Sequence, residues 1–311
     1  MPEEFARIGR HFRPLAGPAA LGLSDDAALL APPPGRELVL TVDAMVAGVH
    51  FLPDDPPDLV ARKLLRVNLS DLAAKGAAPL GYLLTVSVPR ATSDDWFAAF
   101  AAGLAEDQRQ FGIALLGGDT TSTAGPVSLS LTAIGHVAPG AMILRAGAQP
   151  GDGIWVTGSI GDGALGLAVA QGRLADPSGH LLGRYRLPEP RLGLPLAGIA
   201  SAGMDVSDGL VQDLGHLCRA GGLGAEIAAG LVPLSGPARA AGPEWLAACL
   251  TGGDDYELLL AVPREHEEAL VASAGIPVTR IGHFHAGASR VLVRNADGSE
   301  MTLPAAGWSH F

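Results

Sequence analysis

Aspartate is the residue most suggestive of chemistry in this chain, because of where it falls. Asp25 and Asp26 lie in GLSDDAALL, Asp43 in LTVDAM, Asp71 in VNLSDLAA and Asp119 in LLGGDTT. Asp205 and Asp208 lie in MDVSDG, and Asp254 and Asp255 in TGGDDYELLL. Each closes or abuts an apolar segment, usually beside Gly or Ser. Ordinary solvated acids sit instead in mixed-charge helices, as Glu265, Glu267 and Glu268 do. The ends of apolar strands in α/β proteins form the rim where ligands bind. Singly, each aspartate reads as a helix cap or a turn residue. Gathered together without cations, the carboxylates would repel and raise each other's pKa. A divalent metal removes that difficulty. Oxygen-only ligation, with no His/Cys cluster at metal spacing, favours Mg²⁺, and Mg²⁺ at a multi-carboxylate site points to phosphoryl chemistry.

Other candidate groups are sparser. Lys63, in LVARKLLRV, and Lys75, in LAAKGAAP, are the only lysines, and neither follows a glycine-rich loop, so a P-loop is excluded. His50 in VAGVHFLP is a lone loop histidine, a pattern that is more often structural than ligand-binding. Arg145 lies in a connection between two patterned halves, where it suits either a phosphate or an interface ion pair. Gly161-Asp-Gly-Ala-Leu-Gly166 matches the dinucleotide fingerprint, but the nearest following acid, Asp176, sits in the turn DPSG rather than at a strand end. That loop reads as a helix amino terminus of the kind that accepts anions. No Ser-His-Asp or Cys-His arrangement is evident. Cys218 and Cys249 lack metal spacing and read as small buried hydrophobes.

These residues need elements to hold them, and composition permits a large folded core. The chain has 311 residues, 48% hydrophobic and 17% charged, enough for two domains. A net charge of −11 speaks against a nucleic-acid surface. No uncharged apolar run reaches membrane-spanning length, and the charged start MPEEFARIGRHF is unlike a signal peptide. A cytoplasmic protein is expected, in which a disulfide would be out of place.

Residues 4–15 predict a short helix, 38–42 a strand ending at Asp43, 58–75 a helix and 80–88 a strand stopped by Pro89. Ser93 followed by two aspartates predicts a capped helix over 93–111. Strands IALLGG and VSLSLTAIGHV follow, and residues 143–153 form a connection. Then come strand GIWVTG, helix ALGLAVAQG, a helix over 191–202, a helix from Leu210 to Ala220, and a loop-plus-strand in TGGDDYELLLAVP. A helix over 264–274 and strands VTRIGHF and RVLVRN end the pattern. Alternating elements indicate an α/β fold with mixed sheets, and the pattern restarts near residue 138, giving domains 1–138 and 139–311. LGGD at 116–119 and TGGD at 251–254 hint at a duplicated architecture.

The segments GLSDDAALL, TVDAMVAGVHF, VNLSDLAAKGA, LLGGDTT, ILRAGAQPGD, VTGSIGD, DVSDGLVQDLGH and TGGDDYEL, with the terminal GWSHF, together resemble the bacterial thiamine-monophosphate kinase family. That family is part of the aminoimidazole ribonucleotide synthetase-like superfamily. Eight motifs in order over residues 21–260 make the resemblance specific. It implies two α/β domains, the first binding ATP and Mg²⁺ and pairing through its sheet in a homodimer, the second completing the ATP and substrate sites. It implies ATP-dependent phosphorylation of thiamine monophosphate, with several Mg²⁺ ions and no nucleic-acid or membrane partner. By residue-wise match, Asp26, Thr41, Asp43, Asp71, Asp119, Asp205 and Asp208 are expected to hold metal, and Gly118, Asp119, Arg145 and Ser207 to contact ATP. His50, Asp254 and Trp308 are expected to meet thiamine monophosphate. The rival readings are another ATP-using enzyme of the superfamily, selenophosphate synthetase-like or amidine-forming, and a non-catalytic nucleotide-binding homologue. No general base is expected, since the acceptor phosphate is already ionised with a second pKa of about 6.

The chain departs from the family pattern at three places. Ser24 stands where a Gly is usual, Val42 and Ala44 flank Asp43 where hydroxyl residues are common, and Asp254 replaces the usual Glu. Within TGGDDYELLL, adjacent residues of an extended segment would point to opposite faces. Asp254 is therefore expected to meet the substrate, and Asp255 to serve the loop by capping or by accepting backbone N–H groups.

Overall fold

The computed structural model describes residues 3–309. The chain divides into two compact units. The first holds residues 1–72 and 77–140; the second holds residues 73–76 and 141–311.

In the first unit, α1 (Glu3–Arg7) opens the chain. The helix expected over 4–15 is helical throughout but changes form, becoming π-helical over Ile8–Phe12 and 3₁₀ over Arg13–Leu15. Gly9 and Pro14 interrupt regular i→i+4 bonding there. The strands are β1 (Glu37–Val46), β2 (Ala78–Pro89), β3 (Leu115–Thr123) and β4 (Ser128–Val137), in sheet order β1-β4-β2-β3. The helices are α2 (Pro57–Ala74), whose last two residues group with the second unit, and α3 (Asp94–Phe111). Ser93 caps α3 by accepting from the Trp96 amide, and Gly112 ends it in the left-handed region at φ 65°.

One face of this sheet carries Val39, Met45, Tyr82, Leu84, Val86, Leu129 and Leu131, all buried. Helix α2 meets β1 through Thr41 and Asp43, and α3 meets β2 where Gln108 donates to the Tyr82 hydroxyl. The opposite face leaves Leu40 62% exposed and Val42 60% exposed, with Leu38 and Leu83 exposed beside them.

The second unit contains β5 (Gly153–Thr157), α4 (Asp162–Ala170), α5 (His180–Arg186), β6 (Ala202–Asp205), α6 (Leu210–Gly221) and β7 (Leu223–Ala228). It continues with α7 (Gly236–Ala240), α8 (Leu246–Thr251), β8 (Leu258–Val262), α9 (Glu267–Ser273), β9 (Val278–Ala286) and β10 (Val291–Arg294). The six strands order as β10-β7-β9-β5-β8-β6. All five residues of β8 are buried, because each sheet face has its own core. Ile154, Val156, Leu259 and Ala261 join Met204, Leu214 and Phe284 on one side. Trp155, Leu258, Leu260 and Val262 join Leu196 and Leu270 on the other.

The helix expected over 191–202 does not form. Gly193 and Gly198 take positive φ (84° and 76°), and Pro195 lies between them. The 116–119 and 251–254 echo is not a structural repeat: LGGD lies inside β3, whereas TGGD runs from the last residue of α8 into coil. Among the described residues, no helix is long and apolar enough to cross a membrane.

Candidate active site

In the first unit, α2 places its polar residues against the middle of β1. The Thr41 hydroxyl donates to the Asp71 carboxylate at 2.5 Å. Three residues earlier on α2, the fully buried Asn68 accepts the Asp43 amide at 3.1 Å and anchors itself to the Leu64 carbonyl. Thr41, Asp43 and Asp71 thus form one oxygen-rich group, held by a strand and a helix.

The expectation that these aspartates close strands is corrected for two of them. Asp43 lies inside β1 and Asp119 inside β3, and both strands are sheet edges with one solvated face, which tolerate mid-strand acids. Register also separates them. Asp43 aligns with Leu131, Leu84 and Gly118, whereas Asp119 aligns with Thr85, Ser130 and Ala44. Adjacent rows face opposite sides, and the two edges are three strand spacings apart, about 14 Å. Within this unit, therefore, Asp119 does not join the Asp43 group; it shares the outer face with Leu40 and Val42. Gly118 comes so near β2 that a Cβ would stand 1.8 Å from the Leu84 carbonyl oxygen, so only glycine fits. Asp26 sits in an exposed loop, its amide bonded to the Asp25 carboxylate at 2.8 Å. Leu21 and Leu23, just before it, take left-handed φ of 51° and 53°.

His50 follows β1. Its Nδ1 accepts the Val46 amide at 3.0 Å, which leaves the neutral ring's hydrogen on Nε2. The His50 carbonyl accepts from Nζ of the buried Lys63 at 3.2 Å.

In the second unit, the candidate residues converge. Asp205 is the last residue of β6 and is buried; Ser207 and Asp208 form the turn into α6. The Asp254 amide donates to the Ser207 carbonyl at 2.9 Å. The Trp308 amide donates to the Asp208 carbonyl at 2.9 Å, and Gln212 holds the Trp308 carbonyl at 2.5 Å. His310 and Phe311 of GWSHF lie outside the described residues. Arg145 is exposed in the loop between β4 and β5. The neighbouring Leu144 carbonyl accepts the Gly203 amide at 2.9 Å, and Lys75 Nζ donates to the Gly203 carbonyl, also at 2.9 Å. The loop is further fixed by Asp152, which accepts from the Gln149 amide and the Ser201 hydroxyl.

The sequence pattern does not single out two further residues of this region. Asp208, Asp213 and His216 bring potential ligand atoms within 4.8 Å of one another, the one such group of three among the described residues. Asp213 accepts the Asp208 and Gly209 amides, closing the first turn of α6. Burial, then the Asp208 charge, pushes its carboxyl up to about 7. Burial, then the Arg219 and Arg145 charges, lowers the His216 pKa. The signal was the spacing in DVSDGLVQDLGH, which puts Asp213 and His216 three apart on a helix.

In the TGGDDYE segment, Asp255 serves backbone N–H groups as expected, but by another geometry. The segment is not extended, since Asp254 and Tyr256 take left-handed φ of 71° and 52°. Asp255 is buried, and its two carboxylate oxygens accept the Gly161 and Gly163 amides at 2.7 and 3.0 Å. The amino end of α4, read from sequence as an anion site, is therefore filled by the chain's own carboxylate. Burial pushes that carboxyl up to about 8, with the two amides acting against the shift.

Residues 24–137 match the family AIR synthase related protein, N-terminal domain, and residues 149–294 match AIR synthase related protein, C-terminal domain. The thiamine-monophosphate kinase of Caulobacter vibrioides is 46% identical over 326 aligned residues, covering 99% of this chain and 91% of that protein. The chain belongs to the thiamine-monophosphate kinase family. Among solved structures, thiamine-monophosphate kinase from Stenotrophomonas maltophilia K279a is 41% identical and superposes with a TM-score of 0.84, covering 96% of this chain and 98% of that one. AaThiL, solved in complex with AMPPCP and TMP, is 29% identical with a TM-score of 0.79, covering 92% of this chain and 91% of that one.

The donor set of the first unit suits a hard cation. Thr41, Asp43 and Asp71 offer only oxygen, the donor type that hard cations prefer.

Proposed function

We propose that this protein transfers the γ-phosphoryl group of ATP directly to the phosphate of thiamine monophosphate, giving thiamine diphosphate and ADP. Family membership over 99% of the chain carries the reading. The bond between the Asp254 amide and the Ser207 carbonyl supports it, because it ties the expected substrate loop to the expected ATP turn.

Magnesium would be held by Asp26, Thr41, Asp43, Asp71, Asp205 and Asp208, and, at a place apart from the Asp43 group, by Asp119. When bound, it supplies charge neutralisation for the two phosphate groups and favours their in-line alignment. Gly118, whose bare backbone lies against β2, Asp119, Ser207 and Arg145 would bind ATP, the guanidinium taking phosphate oxygens in its fork. His50, with Nε2–H as donor, would receive the phosphate of thiamine monophosphate. Asp254 would meet the cationic or amino-bearing part of thiamine, and Trp308, 52% exposed, would stack on a ring. The acceptor oxygen is ionised near neutral pH, so these residues bind and align rather than abstract a proton.

The exposed row Leu38, Leu40 and Val42 with Leu83 supports a homodimer paired through this sheet face. The need for ATP supports a cytoplasmic location. Incubation with ATP, Mg²⁺ and thiamine monophosphate, followed by chromatography, tests the reading. Thiamine diphosphate is expected, and its formation should stop when EDTA is added. ATP consumed without thiamine diphosphate would overturn it.

A further inference from the structure

We propose that Asp255 is a positioning residue for the substrate: by capping the amino end of α4, it fixes the backbone of Asp254 in the orientation that presents the Asp254 carboxylate to thiamine monophosphate. The inference rests on the reading that Asp254 contacts that substrate.

Helix α4 spans nine residues, and its own N-cap, Gly161, has no side chain with which to cap. The orphan amides of a helix start need acceptors. Asp255 supplies both from more than ninety positions away, through Oδ2 to Gly161 and Oδ1 to Gly163. This is a long-range cap, costly to remove because the amides it satisfies are buried.

The neighbouring backbone shows what the cap holds. Left-handed φ at Asp254 and Tyr256 is strained for a non-glycine residue and persists only when the surroundings enforce it. On one side, the Asp254 amide is fixed to Ser207 and the Tyr256 amide to Val206, at 2.9 and 2.8 Å. On the other, the Asp255 carbonyl accepts from Arg184, which also bonds the fully buried Glu257. Arg191 and Thr157 complete the Glu257 network. Between them, Gly163 packs so closely that a Cβ would stand 2.3 Å from the Asp254 carbonyl oxygen. The amide that Asp255 grips thus belongs to the residue against which Asp254 rests. A shift of the α4 start relative to Asp255 is a shift of Asp254.

Three variants of the full-length chain test this by steady-state kinetics, each with its Tm measured. Asp255→Asn keeps the shape but can accept only one of the two amides. Gly163→Ala presses on Asp254 without touching the buried carboxyl. Asp254→Asn is the reference. All three are expected to raise KM for thiamine monophosphate by about tenfold or more, with KM for ATP within about threefold of the unmutated protein. If Asp254→Asn alone raises that KM while the other two fold and do not, the positioning role is overturned and the substrate reading survives. If Asp254→Asn changes nothing, both fall. Hydrogen exchange of the unmutated protein gives a result even where a variant fails to fold. Thiamine monophosphate without ATP should slow exchange at the Gly161 and Gly163 amides, and unchanged exchange there overturns the proposal.

Discussion

The Asp254 amide donates to the Ser207 carbonyl at 2.9 Å, and Gly253 lies so near the same carbonyl that a Cβ would stand 2.1 Å from its oxygen. The expected substrate loop and the expected ATP turn therefore meet across a gap that only glycine permits. Gly253→Ala must push one segment off the other. Given the ligand roles proposed for both segments, kcat/KM should fall at least about tenfold for ATP and for thiamine monophosphate alike. Steady-state kinetics with each substrate varied in turn checks this, and a loss confined to one substrate would mean that the two segments move independently.

Asp43 separates chemistry from stability. Its amide donates to the Asn68 side chain at 3.1 Å, a backbone bond that a change of side chain leaves in place. Asp43→Asn keeps the shape and removes the negative charge. Turnover should fall by about a thousandfold or more, with Tm changed by no more than about 2 °C. Activity within a few-fold of the unmutated protein would remove Asp43 from the metal set.

Asp107 makes the opposite case. It is fully buried on α3 and takes Arg66 Nε at 2.7 Å and Arg62 Nε at 2.9 Å from α2. Asp107→Ala leaves the buried Arg66 guanidinium without its counter-charge. Breaking such a pair from one side costs about 3–5 kcal/mol. Urea denaturation should show a lower midpoint for the transition of the first unit, and an unchanged midpoint would contradict the account of this pair.

The two thiols should be inert in the folded protein. Burial pushes Cys218 up to about 11; burial, then the charges of Asp255 and Asp162, pushes Cys249 up to about 12. At pH 8, then, about one Cys218 in a thousand and one Cys249 in ten thousand is thiolate. A disulfide reagent should label neither in native protein within minutes and both once urea unfolds the chain. Rapid native labelling would contradict the burial.

Much of this was legible in residue types and spacing. Ser93 with two following aspartates and Gly112 marked both ends of α3, and the all-apolar LLLAV marked a strand covered on both faces. The aspartates drew attention through their settings beside glycine and serine. Register was not legible: that Asp43 and Asp119 occupy opposite edges and opposite faces follows from pairing with β4 and β2, which no local pattern encodes. The segment 191–202 has helical apolar content, but its glycines take positive φ and end the helix before it starts. Asp213 and His216 were passed over because a polar pair three apart on a helix looks like any solvated face until α6 turns it toward Asp208. The Asp255 cap joins residues more than ninety apart in sequence, so only the fold reveals which amides it serves.

Phosphoryl transfer to a phosphate acceptor is read by following the transferred group itself. ATP radiolabelled in its γ-phosphoryl group is incubated with the protein, Mg²⁺ and either thiamine monophosphate or thiamine. Label is expected in thiamine diphosphate, one equivalent per ADP formed, with no transfer to unphosphorylated thiamine. Label released only as inorganic phosphate, or delivered to thiamine itself, would contradict transfer to a phosphate acceptor.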